Sequence, residues 1–173
     1  MEKLLDKLSS YNIFNYLFPG IIFSVLLEKT TNYKIIQENI MIEAFLVYFI
    51  GLVISRISSL VIEPILKKMK FVNFSNYKDY VLASTNDNKI ELFSESNNMY
   101  RVFISLFFIL ITINMYENLI VSNFLILAEY TIYLLVLLLF ILFLFSYRKQ
   151  TNYITKRVEI YKNKQKEEGE VNE

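Results

Sequence analysis

The strongest constraint on this chain is a series of four apolar stretches, each long enough to cross a lipid bilayer. A transmembrane helix needs about 20 mainly apolar residues. The four stretches cover residues 11–28, 39–62, 102–121 and 124–147. The whole chain is 54% hydrophobic, whereas a soluble domain is usually about 45–50% apolar. We therefore predict an all-α integral membrane protein with four transmembrane helices.

The positions of Lys and Arg predict the orientation of these helices, because cytoplasmic loops carry an excess of basic residues. If both termini lie in the cytoplasm, sixteen of the 18 basic residues face the cytoplasm, and only Lys29 and Lys34 lie outside. The opposite orientation would place sixteen basic residues outside. The sequence therefore predicts that the N-terminus and the C-terminus are both cytoplasmic.

The predicted transmembrane domain covers residues 1–147 and includes a cytoplasmic loop over residues 63–100. In this loop Ser75 is predicted to cap a short helix, and Asp87 to cap a second helix that runs into the third span. Residues 148–173 are predicted to continue the fourth helix as a cytoplasmic tail. The acidic end of that tail, KEEGEVNE, is typical of a disordered segment.

The two prolines predict irregular points in the first two spans. Proline lacks a backbone N–H and clashes with the preceding turn of a helix. We expect a kink at Pro19–Gly20, and a break at Glu63–Pro64 where the second helix leaves the membrane.

The composition excludes several classes of chemistry. The chain has no Cys and no His, so it forms no disulfide and no Cys/His zinc site, and it lacks the commonest general base. The sequence contains no nucleotide-binding loop, serine-hydrolase elbow or zinc-protease motif. We predict a protein that is not an enzyme and that uses no metal or cofactor.

The second span contains a stripe of small residues. They recur at helical spacing at Ala44, Gly51, Ser55 and Ser59. Small residues let membrane helices approach closely, so the stripe predicts a helix–helix contact, either within one subunit or between subunits. The alternative is a polar face that includes Ser58 and lines a pore.

Two charged residues lie seven positions apart on the second span. Arg56 and Glu63 are separated by two helical turns and share one face. Charges within a membrane segment usually face a bundle interior or water. The candidate pore or gating residues are therefore Ser55, Arg56, Ser59 and Glu63. Alternatively, Arg56 lies near the inner end of the span and extends only to the headgroups.

A basic region is predicted next to the inner membrane surface. Its candidate ligand-binding residues are Lys67, Lys68, Lys70, Asn98 and Arg101. In a ring of subunits this region would repeat around an axis and form a cavity for a phosphate-rich ligand. The alternative is that these residues, like the basic residues that open the tail, satisfy the positive-inside rule and contact anionic lipid.

Polar residues also gather at the predicted outer ends of the spans. They are Glu43, Asn114, Glu117 and Glu129. They form either an acidic vestibule that favours cations or a set of polar residues at the headgroup boundary.

Three segments resemble small polytopic membrane proteins of bacterial anti-phage defence operons: SSYNIFNYLFPGIIF, YFIGLVISRISSLVIEPILKK and DNKIELFSESNNMYR. The resemblance covers most of residues 9–101 and is to the membrane effector of Hailong-type systems. It implies a multi-pass channel in the bacterial cytoplasmic membrane, whose opening is controlled by a nucleotide or oligonucleotide made by an operon-encoded partner enzyme. Opening would depolarise the infected cell. The resemblance transfers no functional residue.

We therefore predict a channel that assembles as a homo-oligomer, such as a tetramer, and is gated from the cytoplasmic side. The first alternative is a non-conducting adaptor that anchors a cytoplasmic partner through the loop and tail. The second alternative is a small transport subunit.

Overall fold

The computed structural model describes residues 12–121 and 130–170, with side chains for residues 12–119 and 130–163. The predicted starts of the first and fourth spans, Glu129 and residues 171–173 lie outside these ranges. Every element within them is helical, and four helices are long and apolar enough to cross a membrane. The elements are α1 (Ile13–Thr30), α2 (Ile40–Lys68), α3 (Tyr77–Asn86), α4 (Asn88–Tyr116, continued by a π-helix over Glu117–Val121) and α5 (Thr131–Glu170).

A five-residue π-helix lies just before each of the two prolines. It spans Ile13–Leu17 ahead of Pro19 in α1, and Ser58–Ile62 ahead of Pro64 in α2. In a π-helix each N–H bonds to the carbonyl five residues earlier. This widened turn relieves the clash with the proline ring and tolerates its missing N–H. Helix α2 therefore continues to Lys68, and the predicted break at Pro64 is wrong.

Side-chain caps fix where three of the helices begin. The Asp87 carboxylate accepts a hydrogen bond from the backbone N–H of Lys89 at 2.9 Å, which confirms the predicted start of α4. Helix α3 is capped by Asn76, not by the predicted Ser75, because the Asn76 carboxamide accepts from the N–H of Lys78. The Asn39 side chain caps α2 in the same way.

Helices α1, α2 and α4 pack into one apolar core. The core residues are Phe23, Leu27, Ile54, Val102, Leu106 and Leu110. The helices α1 and α2 cross where glycines face backbone: a methyl group at Gly20 would overlap the carbonyl of Val47, and one at Gly51 would overlap the carbonyl of Tyr16. Glycine is required at both positions because no side chain fits between the two backbones.

Helix α5 is 40 residues long, which corresponds to about 60 Å. Most of its side chains over residues 131–163 are exposed. It contacts α2 through Phe143, whose ring stacks on Phe49, and α3 through Tyr153, whose ring lies 5.5 Å from that of Tyr77. The helix extends to Glu170, into the acidic stretch predicted to be disordered. Extending a helix that has already formed costs little free energy when the added residues are good helix formers such as Lys, Glu and Gln.

Candidate functional site: a buried carboxylate joining three helices

The most unusual residue of the described bundle is Glu63, near the C-terminal end of α2. It is only 7% exposed. A buried carboxylate in a membrane protein is costly unless it is paired. The carboxylate of Glu63 is paired with three cations: Lys67 on α2 at 2.8 Å, Arg101 on α4, and Lys149 on α5 at 3.7 Å. We call these four residues the Glu63 cluster. It joins three of the four long helices.

The π-helix of α2 explains how Lys149 is held. In an α-helix the carbonyl of Ser59 would accept from the N–H of Glu63. Here the N–H of Glu63 bonds to the carbonyl of Ser58 instead, and the next residue, Pro64, has no N–H. The carbonyl of Ser59 is thus left available, and the Lys149 ammonium donates to it at 2.6 Å and to the Ser59 hydroxyl at 2.8 Å. The π-helical turn before Pro64 therefore provides the carbonyl acceptor that binds Lys149 of α5.

An aromatic ring and a second hydroxyl also contact two of the three cations. The Lys67 ammonium lies 4.1 Å above the centre of the Phe74 ring, and cation–π attraction stabilises it there. The Arg101 guanidinium donates through Nε to the Ser58 hydroxyl at 3.4 Å. The three cations outnumber the one carboxylate. The cluster therefore carries a net positive charge.

The structure brings only some of the predicted basic residues together. Lys67 and Arg101 meet at Glu63, whereas Lys68 and Lys70 are exposed, with Lys70 in the left-handed region of backbone space (φ 57°). Asn98 is half-buried on α4, without a hydrogen bond to the cluster. The charges of Lys67 and Arg101 are thus already engaged by a carboxylate.

Sequence reasoning missed the role of Lys149, which it treated as one of the basic residues opening the tail. The i,i+4 spacing of Glu63 and Lys67 was visible in the sequence. The contact of Glu63 with Lys149, however, depends on how α5 packs against α2. The available signal was Pro64, whose missing N–H leaves one carbonyl of the preceding turn without a partner. That this carbonyl belongs to Ser59 follows only from the π-helix.

The small-residue stripe of α2 is partly buried within the subunit. Gly51 contacts the backbone of α1, and Ser55 is buried, with its carbonyl accepting from the Ser58 hydroxyl at 2.8 Å. The hydroxyl of Ser105 on α4 donates to the carbonyl of Ile54. Ala44, by contrast, is exposed. The stripe thus lies against α1 at Gly51, whereas it faces outward at Ala44.

Two of the polar residues at the predicted outer ends of the spans secure the loop between α1 and α2. The Glu117 carboxylate accepts from the backbone and side-chain N–H groups of Asn32, and the Asn114 amide donates to the carbonyl of Thr30. Burial raises the pKa of Tyr33 in this loop, and the nearby Glu117 charge raises it further. Glu117 and Asn114 therefore have a structural role that does not require an acidic vestibule.

Comparison of the chain with protein-family models, with curated proteins and with solved structures found no match. Its function is therefore inferred from its own residues.

Proposed function

We propose that this protein is a homo-oligomeric membrane channel, with both termini in the cytoplasm and a gate at the inner ends of the spans. The observation that supports this proposal is the Glu63 cluster, in which one buried carboxylate joins α2, α4 and α5. Ionisable residues buried among membrane helices usually mark ion pathways or switches, because apolar residues would pack there at lower cost.

The cluster is suited to gating because it attaches α5, a helix that is little buried over residues 131–163. Its described side chains are exposed or half-buried except for Ser146. The polar link from Lys149 to Ser59 and Glu63 orients α5 against α2, together with the stacking of Phe143 on Phe49. An anion that competes for these cations would favour a second arrangement of α5, since a ligand shifts an equilibrium by its differential affinity.

In this proposal the ion path lies between subunits. Ser55 and Ser58 are buried inside the chain, whereas Arg56 and Ser59 of α2 remain partly accessible. These two residues are the pore-facing candidates in the proposed oligomer. Gating by a nucleotide or oligonucleotide, and a role in anti-phage defence, are supported only by the sequence resemblance.

The proposal is tested with Lys149→Met, which removes the charge but keeps the length of the side chain. We expect the ion flux across liposomes containing the variant to rise at least about fivefold above that of the wild type. This increase corresponds to a shift of about 1 kcal/mol between closed and open states. The flux is followed with a potential-sensitive dye under a potassium gradient.

The control is Lys156→Met, the same change at an exposed position of α5, which should leave the flux unchanged. If Lys149→Met and the wild type conduct equally, the cluster is not a gate. If no variant and no wild-type preparation conducts although the protein is inserted and oligomeric, the channel proposal is wrong.

The adaptor alternative is favoured by one observation, the length of α5. The hydrocarbon core of a bilayer is about 30 Å thick, so roughly half of this helix extends beyond the membrane. An exposed cytoplasmic helix is a suitable attachment point for a partner. This function predicts that truncation after Asn163 abolishes partner binding, without any conductance in the full chain.

A further inference from the structure

A cleft lies between α2 and α5, beside Lys149. It contains about 230 Å³ of empty space, part of which is open to solvent. Its polar lining residues are Arg56, Ser59, Ser146, Lys149, Gln150 and Tyr153. Two of these residues, Ser59 and Lys149, also take part in the polar link that attaches α5. The cleft therefore shares a wall with the Glu63 cluster.

The charge of this cleft is unbalanced. No Asp or Glu lines it. Arg56 is half-buried within α2, and among the residues that the structure describes no carboxylate lies within ion-pair distance of its guanidinium. Lys149 shares its single carboxylate, Glu63, with two other cations. A cationic pair at the edge of a membrane favours an anionic ligand.

A buried hydroxyl in the same cleft also has no partner. Ser146 is 8% exposed, and its Oγ makes no hydrogen bond within the described structure. A buried hydroxyl without a partner costs about 1–3 kcal/mol. The other side chains of α5 that the structure describes are half-buried or exposed. Ser146 is therefore the one buried side chain among those described on α5, and its hydroxyl donor lies in the wall of a basic cleft.

We propose that this cleft binds a phosphate group, through the Arg56 guanidinium, the Lys149 ammonium, the Ser146 hydroxyl and the Gln150 amide. All four groups donate hydrogen bonds, and phosphate oxygens accept several at once. The position at the inner ends of the spans fits the headgroup of an anionic phospholipid, and also a free phosphate ion. The proposal holds whether or not the protein conducts ions.

The test uses the full chain, purified in a neutral detergent without phosphate buffer. Three probes are titrated: dioctanoyl phosphatidylglycerol, dioctanoylglycerol with the same acyl chains but no phosphate, and inorganic phosphate. Native mass spectrometry counts the bound lipid, and calorimetry measures inorganic phosphate binding. We expect saturable binding of a phosphate-containing probe and no binding of dioctanoylglycerol at the same concentrations.

Variants assign the binding to the cleft. Arg56→Gln should weaken the binding at least about tenfold, the effect of losing a charge-assisted hydrogen bond, and Ser146→Ala should weaken it about threefold. Arg157→Gln, the same change at an exposed position of α5, should change it less than about twofold. The near-ultraviolet circular dichroism of the tyrosines verifies that each variant is folded.

The pattern of binding also separates the two sources of phosphate. Saturation by phosphatidylglycerol alone identifies a lipid headgroup site, and saturation by inorganic phosphate with the same variant dependence identifies a site for free phosphate. Equal weakening by Arg56→Gln and Arg157→Gln would overturn the proposal, as would equally tight binding of dioctanoylglycerol. So would an absence of saturable binding by both phosphate probes.

Discussion

Glu63→Gln is expected to lower the free energy of unfolding by about 3 kcal/mol. The amide keeps the shape of the side chain but removes the only negative charge among three cations. Breaking a buried ion pair costs about 3–5 kcal/mol, since the remaining charges lose their partner. The lower value applies here because the Lys67 side chain is 43% exposed and can turn toward water. Titration with sodium dodecyl sulfate, followed by tyrosine circular dichroism, measures this change.

The matched control is Glu159→Gln, which removes a carboxylate at an exposed position of α5. Its effect should be below about 0.5 kcal/mol, as for most surface substitutions. Equal unfolding free energies for Glu63→Gln and the wild type would show that the carboxylate does not hold α2, α4 and α5 together.

Gly51→Ala is expected to destabilise the protein by about 3 kcal/mol, although it adds only one methyl group. That methyl would overlap the Tyr16 carbonyl, and the obstacle is backbone that cannot rotate away. The helices α1 and α2 must therefore move apart, and overpacking of this kind costs about 1–3 kcal/mol or more. Insertion into the membrane should persist because it depends on apolarity. Unfolding in detergent measures stability, and membrane fractionation measures insertion.

The control for crowding is Ala44→Leu, a larger addition at an exposed position of the same helix. It should leave the unfolding free energy of the subunit unchanged. If Gly51→Ala is tolerated as well as Ala44→Leu, the close crossing of α1 and α2 is wrong. A loss of oligomer with Ala44→Leu alone would instead place the outer part of the stripe at a subunit contact.

The helices of this protein were predictable because their signals are local. Long apolar runs predicted the four helices that are long and apolar enough to cross a membrane. Asp87 marked the start of α4 because its cap contacts involve neighbouring residues only. The continuation of α2 past Pro64 was not predictable, since proline ends most helices. The π-helix over Ser58–Ile62, which accommodates it, has no recognised sequence signal.

The candidate site was predictable to the extent that it lies on one helix. Glu63 and Lys67 are four residues apart, so their pairing follows from helical geometry. Arg101 and Lys149 are far from Glu63 in the sequence, and their contacts depend on how α4 and α5 pack. For the same reason the sequence placed Arg56 with Glu63, whereas the structure places Arg56 in the neighbouring cleft.

The coupling free energy between Glu63 and Arg101 is the most direct measure of whether one buried charge cluster joins the helices. It is obtained from the unfolding free energies of the wild type, Glu63→Gln, Arg101→Gln and the double variant. We predict a coupling of about 2 kcal/mol, because contacting residues in one ion-pair network are strongly non-additive. Additivity within about 0.5 kcal/mol, the behaviour of residues that do not touch, would contradict the cluster and the gate that we propose from it.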